Sequence, residues 1–271
     1  MSRQDTVDSI QEREKPKIKV SIIIPTHGQF QYLDMCLRST YLHTFKKSDS
    51  GQLTAYREKD YELIIIDNGS RLPLSEADQM HEHLWAFNSP RGPANIRIIR
   101  NEKNEGYARA NNQGTAIAEG EFLVFMNNDV IVGPGWLEGM LKTYHHNPLT
   151  GIVGVYSDNV SGRQCVFDAV AMRTPFYMIG ARVVTHCALV DRERMNEIGL
   201  WDESFPAGLF TDDDLSLRFT QAGYKNVIAP VFVMHFGSRT LMQNETKYRE
   251  DMQKAKSLFE DKWREKIVGS I

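Results

Sequence analysis

Cysteine is nearly missing from this chain: Cys36, Cys165 and Cys187 are the only three in 271 residues. They lie far apart, without metal-ligand or redox spacing, so a disulfide framework, a zinc knuckle and a dithiol site are excluded. Reduced thiols in a cytoplasmic setting fit best. Long apolar runs are missing too. The longest, around Val227 to Phe236, is about half of the ~20 residues a membrane-spanning helix needs. Charge is balanced, with a net −3, and no Lys/Arg cluster marks a phosphate-backbone footprint, so no nucleic-acid partner is expected. The glycine-rich phosphate fingerprints are likewise absent: the first strand-like run is followed by "PTHGQF", not GxGxxG, and there is no Walker loop. Phosphate recognition would then rest on a metal. No GxSxG elbow and no Cys–His pair offers a nucleophile.

What is there is ordinary for a soluble α/β protein, with 41% hydrophobic and 25% charged residues. Residues 1–17 are polar and mixed in charge, which fits neither a signal peptide nor a basic anchor, and they are expected to be mobile. Four β-branched or aromatic runs read as buried strands: Val20–Ile24, Leu63–Ile66, Ile96–Ile99 and Phe122–Met126. Helical patterns at Tyr32–Leu42 and Tyr107–Glu119 alternate with them. The polar stretches Lys46–Asp60 and Ser75–Pro93 interrupt the alternation as surface excursions. Further on, Gly151–Tyr156, Ala181–Val190 and Val227–Val233 read as strands, and Arg192–Ile198 and Asp212–Ala222 as helices. In Lys247–Trp263, apolar residues recur at helical spacing, a stripe suited to packing on the body or on a partner subunit. Alternation of this kind predicts a mainly parallel sheet with helices on both faces. Ligands then collect beyond the carboxyl ends of the strands.

The polar residues at those ends carry the candidate chemistry. Asp129 follows "FLVFM" and can ligate Mg²⁺ or Mn²⁺ together with a substrate diphosphate, or merely satisfy backbone donors. His235 ends "VIAPVFVM" near the same edge and would suit Mn²⁺, or only bond a backbone carbonyl. Asp67 ends "ELIII" and can accept from a base or ribose, or close an Asx turn with Asn68 and Gly69. "FTDDDL" places Asp212, Asp213 and Asp214 together. Thr211 as N-cap with Asp214 at the capping-box position is one reading of it. A catalytic base is the other, because a cap needs one acid and the extra two repel.

Together these pieces resemble family 2 of the glycosyltransferases, the inverting group of GT-A fold that uses nucleoside-diphosphate sugars. The resemblance runs from about Val20 to Ser238, through "VSIIIPTHGQFQYLDMCLRS", "YELIIIDNGS", "NEKNEGYARANNQGTAIAEGEFLVFMNND", "HCALVDRERMNEIGLWDESFPAGLFTDDDLSLRFTQAGYK" and "VFVMHFGS". It implies a GT-A domain over 18–240, with a nucleotide-sugar half (18–130), an acceptor half (131–240) and a C-terminal helix over 241–271. It assigns the nucleotide to Pro25, Thr26, Asp67, Asn104, Arg109, Asn127 and Asn128. Metal goes to Asp129, the last position of a DxD-type motif, and to His235. Counting back from Arg218 gives the base to Asp212, or to Asp213 if the helix start shifts by one residue, with Thr211 where the family usually has Glu, and Trp201, Asp213 and Asp214 fall on the acceptor side. The implied cofactor is Mn²⁺ or Mg²⁺. The implied donor is a UDP, dTDP or GDP sugar, and the acceptor a saccharide, a lipid-linked intermediate or a protein, as in polysaccharide, glycolipid or glycoprotein synthesis. The expected location is the cytoplasm, with peripheral contact at the inner face of a membrane also open. A nucleotidyltransferase and a non-catalytic sugar-nucleotide-binding scaffold are the alternatives.

Overall fold

The computed structural model describes residues 19–47, 53–55, 61–71, 95–160, 164–166, 178–179, 182–237 and 245–268. The expected N-terminal segment, most of both polar excursions and most of the stretch expected to line the acceptor (Tyr156–Arg182) fall outside them. Among the described residues a nine-stranded sheet dominates. Strands β1 (Val20–Thr26), β4 (Tyr61–Asn68), β5 (Asn95–Asn101) and β6 (Phe122–Met126) lie parallel in the order β5-β4-β1-β6. Strands β2 (Phe45–Lys47) and β3 (Leu53–Ala55) form a separate antiparallel pair.

Helices cover both faces. Helix α1 (Phe30–His43) buries Leu33, Cys36, Leu37 and Thr40, the i, i+3, i+4, i+7 stripe of an amphipathic helix. It shares one core with Ile22, Ile24, Phe122 and helix α3 (Trp136–His145). On the other face helix α2 (Tyr107–Ile117) packs through Ala108 and Ala110 against Ile23, Ile64 and Ile66.

With both faces apolar, alternation cannot fix the strand register. A buried carboxylate does so instead. Glu62, fully enclosed, accepts from Ser21 Oγ at 2.6 Å and from Glu119 N at 2.7 Å, and pairs with Arg97. This pin at the amino ends of β1, β4 and β5 aligns their carboxyl ends, so that Thr26 lies beside Asp67 and Asp67 beside Arg100.

The mainly parallel expectation describes this first half. Beyond β6 the sheet is mixed: β10 (Cys187–Asp191) runs antiparallel to β6 and to β8 (Thr150–Ser157). Strand β11 (Lys225–His235) runs parallel to β8 but antiparallel to β7 (Val130–Val132) and β9 (Met178–Ile179). The strand expected over Ala181–Val190 therefore begins only at Cys187. Helices α4 (Arg192–Ile198) and α5 (Thr211–Gln221) follow, and the apolar stripe of α6 (Glu245–Val268) packs on the body through Ala255 and Trp263, 0% and 2% exposed. The three cysteines are free.

Candidate active site

Two polar clusters meet at the carboxyl edge of the sheet. The first is built on β1 and β4. Asp67 is buried, accepts from Ser70 N at 3.0 Å and pairs with Arg100 Nε at 3.0 Å, so the Asx turn and a poised carboxylate coexist. Asn128 donates to Thr26 Oγ1 at 2.8 Å, next to Pro25 at the end of β1. Asn68, expected only as part of the Asx turn, donates to Asn104 Oδ1 and Gly106 O and accepts from Asn101 and Glu105 N. It braces the loop before α2. Asn104 belongs to this brace, and Arg109 is half exposed and pairs with Glu105 at 3.5 Å. Gly69 has φ +77°, and an added Cβ would lie 2.4 Å from the Lys103 carbonyl carbon, so only glycine lets these two loops touch.

The second cluster joins Asp129 to the end of β11. His235 Nε2 lies 3.3 Å from Asp129 Oδ1, both side chains are 9% exposed, and Asn127 Nδ2 stands 3.3 Å from the same nitrogen. His235 Nδ1 faces the Asn159 carbonyl at 2.8 Å. A carbonyl only accepts, so Nδ1 carries the proton and, in the neutral ring, Nε2 presents its lone pair towards Asp129. Burial alone would lower the His235 pKa, but the Asp129 carboxylate and the Asn159 carbonyl outweigh it and raise it. A carboxylate oxygen and a backed imidazole nitrogen converging in a buried pocket fit a divalent cation that accepts O and N donors, as Mn²⁺ does. Among the described residues no group of three His, Cys, Asp or Glu side chains forms a complete cage. The remaining positions would fall to diphosphate oxygens and water.

The three aspartates of "FTDDDL" open α5, and the structure separates them. Successive helical positions differ by about 100°, and each carboxylate meets a different partner. Asp212 accepts a short hydrogen bond from the Thr185 hydroxyl, and Asp213 pairs with Arg182. Asp214 is wholly buried between Arg218 Nε at 2.8 Å, Lys262 Nζ at 2.7 Å and Trp263 Nε1 at 3.1 Å. Two expectations fail here. Thr211 is not the N-cap: Phe210 holds that position at φ 61° without a side-chain cap, and the Thr211 hydroxyl donates to Gly208 O instead. Asp214 is neither a capping-box residue nor an acceptor contact, because its oxygens are saturated from inside the protein.

Burial raises the Asp212 carboxyl, the Thr185 bond opposes that, Asp213 raises it and Arg182 lowers it; the result is about 6 against an ordinary 3.8. Tyr107 lies against Thr185, and burial, followed by the charges of Asp212 and Asp129, pushes its phenol above the usual range. Asp212 and Asp129 are thus within electrostatic reach of one ring. Trp201, expected at the acceptor, is 3% exposed and wedged edge-on between Tyr107 (5.6 Å) and Phe125 (5.0 Å). It supports the site from the core. Thr185 and Arg182 had no sequence signal, and Tyr107 and His186 lie in blocks that carry the resemblance without having been singled out. His186 stacks on His235 at 5.0 Å, and its carbonyl accepts from Asn127 N at 2.8 Å.

Comparison with known proteins places the chain in a family and a fold. The model of the family described as "Glycosyl transferase family 2" matches residues 21–165, more than half of the chain, and the chain belongs to that family. It is similar to the pre-mycofactocin glycosyltransferase of Mycobacterium tuberculosis, 24% identical over 67% of this chain and 38% of that protein. Its fold is that of the GT-A glycosyltransferases. GalNAc-T7, crystallised with UDP, GalNAc and Mn²⁺, superposes with a TM-score of 0.61 at 18% identity, over 80% of this chain and 43% of that one. A mannosyltransferase of Pyrobaculum calidifontis, in complex with GDP-Man and Mn²⁺, gives 0.59 at 18% identity over 82% and 58%. The chain spans 23%, 20% and 38% of the length of three curated relatives it matches.

Proposed function

We propose that this protein transfers a sugar from a nucleoside-diphosphate sugar to an acceptor hydroxyl with inversion at the anomeric carbon. Asp212 takes the proton from the acceptor hydroxyl. The acceptor oxygen forms the new bond to the anomeric carbon from the face opposite the leaving group, and the nucleoside diphosphate leaves with the electrons of the broken bond. General-base help of this kind contributes typically ~10²–10⁴-fold. Asp129 and His235 hold a divalent cation, Mn²⁺ ahead of Mg²⁺ because of the imidazole. Such a cation supplies Lewis-acid stabilisation of the leaving diphosphate.

The observation that carries this reading is the pairing of a carboxyl raised to about 6 with a buried Asp129–His235 pair at one sheet edge. One group is suited to accept a proton near neutral pH, the other to hold a cation. Pro25, Thr26, Asp67, Asn104, Arg109, Asn127 and Asn128 take the nucleotide, in a half that ends at residue 130. The acceptor lies towards Arg182 and Asp213, in the half that follows. The nucleobase is uracil, with thymine and guanine as the other arms of the test. The acceptor belongs to polysaccharide, glycolipid or glycoprotein synthesis. No helix among the described residues is long and apolar enough to cross a membrane; the proposed setting is the cytoplasm, with an acceptor presented at the inner membrane face.

The test is release of nucleoside diphosphate from UDP-GalNAc, UDP-glucose, dTDP-glucose and GDP-mannose with Mn²⁺, by wild type and Asp212→Asn. The expected result is turnover with one donor, lost in the variant while nucleotide binding stays intact. Release of pyrophosphate would point to nucleotidyl transfer, and binding without turnover to a scaffold.

A further inference from the structure

We infer that Thr185 is a positioning residue for the base: its hydroxyl, together with its backbone N–H, holds the Asp212 carboxylate in the orientation that receives an acceptor hydroxyl. The inference rests on Asp212 being the base. A carboxylate at the first turn of a helix rotates broadly about its last torsion, and a base that swings loses the alignment that makes proton transfer efficient. Thr185 removes that freedom. The residue is 1% exposed, its single hydroxyl proton goes to Asp212 Oδ1, and its backbone N–H also bonds the Asp212 carboxylate.

The segment carrying Thr185 is itself anchored at both ends. Two residues before it, Val183 N donates to Ser216 Oγ at 2.9 Å, one turn along the helix that bears Asp212. One residue after it, the His186 carbonyl accepts from Asn127 N at 2.8 Å, in the turn that leads to Asp129. Four consecutive residues therefore span from the base helix to the metal-side turn, and the hydroxyl of Thr185 has a fixed place relative to both. The other charged or titratable groups facing this bond are Asp213, Arg182 and Tyr107. Asp213 and Arg182 already form an ion pair. Tyr107 lies on the Thr185 side, where its hydroxyl can support the threonine oxygen.

Thr185→Val keeps the shape and the backbone N–H but deletes the hydroxyl donor, and Thr185→Ser keeps it. The first readout is a carboxyl-¹³C NMR titration of aspartate-labelled protein, with the Asp212 signal assigned by its loss in Asp212→Asn. The second is the pH profile of nucleoside diphosphate release from the active donor with Mn²⁺. A bond that favours the charged form lowers a carboxyl pKa, so its loss raises it. In Thr185→Val the Asp212 midpoint and the acid limb of activity are expected to move up by about one unit. Turnover falls about 10–100-fold, with UDP–Mn²⁺ affinity and cooperative unfolding kept and the midpoint lowered by only about 2–3 °C at pH 8, the linked effect of that one unit. Thr185→Ser restores both readouts. A folded Thr185→Val that titrates like wild type overturns the inference, as does Thr185→Ser behaving like Thr185→Val, which would make the methyl group the important part. The base reading fails separately. Asp212→Asn with wild-type turnover removes that reading and the inference with it, whereas an inactive Asp212→Asn beside an unshifted Thr185→Val removes the inference alone.

Discussion

Replacing Asp212 by Asn should stabilise the protein while stopping its chemistry. The carboxyl is held at about 6 in the folded state against 3.8 outside it. A group whose folded pKa is raised binds its proton more tightly in the native state. Folding is then penalised as pH rises from about 4 to 6, and the penalty is complete above 6. At ~1.4 kcal/mol per unit, the cost at pH 8 is about 3 kcal/mol, falling to about 1 kcal/mol at pH 4.5. Asn is nearly isosteric, retains an oxygen for the Thr185 hydroxyl and carries no charge to repel Asp213. For a chain of this size, about 2 °C per kcal/mol turns the gain into about 6 °C at pH 8. The assay is thermal unfolding of both proteins without ligand across pH 4.5–8. A gain that shrinks as pH falls bears out the reasoning. A variant less stable than wild type, or a gain independent of pH, refutes it and returns Asp212 to the ordinary surface carboxylates.

Other outcomes follow from the same contacts. Arg218→Met leaves Asp214 buried with one cation fewer, and breaking a buried pair costs about 3–5 kcal/mol, to be read by urea unfolding. Trp263→Ala, which removes a 2% exposed ring and the Asp214 contact, should cost about 3–5 kcal/mol and loosen α6 in hydrogen exchange. Gly208 has φ +75°, and an added Cβ would fall 2.7 Å from Tyr107 Cβ; Gly208→Ala should therefore lower both stability and turnover, measured by melting and donor cleavage. His235, raised by Asp129, holds a proton that competes with metal. Mn²⁺-dependent nucleotide binding should therefore weaken as pH drops through that raised pKa, with calorimetry showing proton release on binding.

The sequence made the framework visible because its strands are uniform apolar runs. Phe122–Met126 and Arg192–Ile198 have the boundaries read from it, and Asp67, Asp129 and His235 stand at strand ends as expected. What it hid depends on contacts between distant segments. "FTDDDL" satisfies every local rule for a capped helix start, yet Phe210 takes the cap position in a left-handed conformation, packed 5.2 Å from Phe259 of α6. Asp214 looks like its neighbours until α6 brings Lys262 and Trp263 to it. Thr185 sits in "VVTHC", which matches no motif and reads as ordinary strand, because its only special property is the carboxylate it meets 27 residues later.

The most direct test of the account is thermal unfolding of wild type and Asp129→Asn with UDP, dTDP, GDP and ADP, each with and without Mn²⁺. Ligand at about a hundred times its dissociation constant adds roughly 2.7 kcal/mol, a shift of several degrees. One diphosphate, UDP first, should stabilise the wild type only when Mn²⁺ is present, and Asp129→Asn should lose the response. Stabilisation that ignores the metal, or that survives in Asp129→Asn, would contradict it.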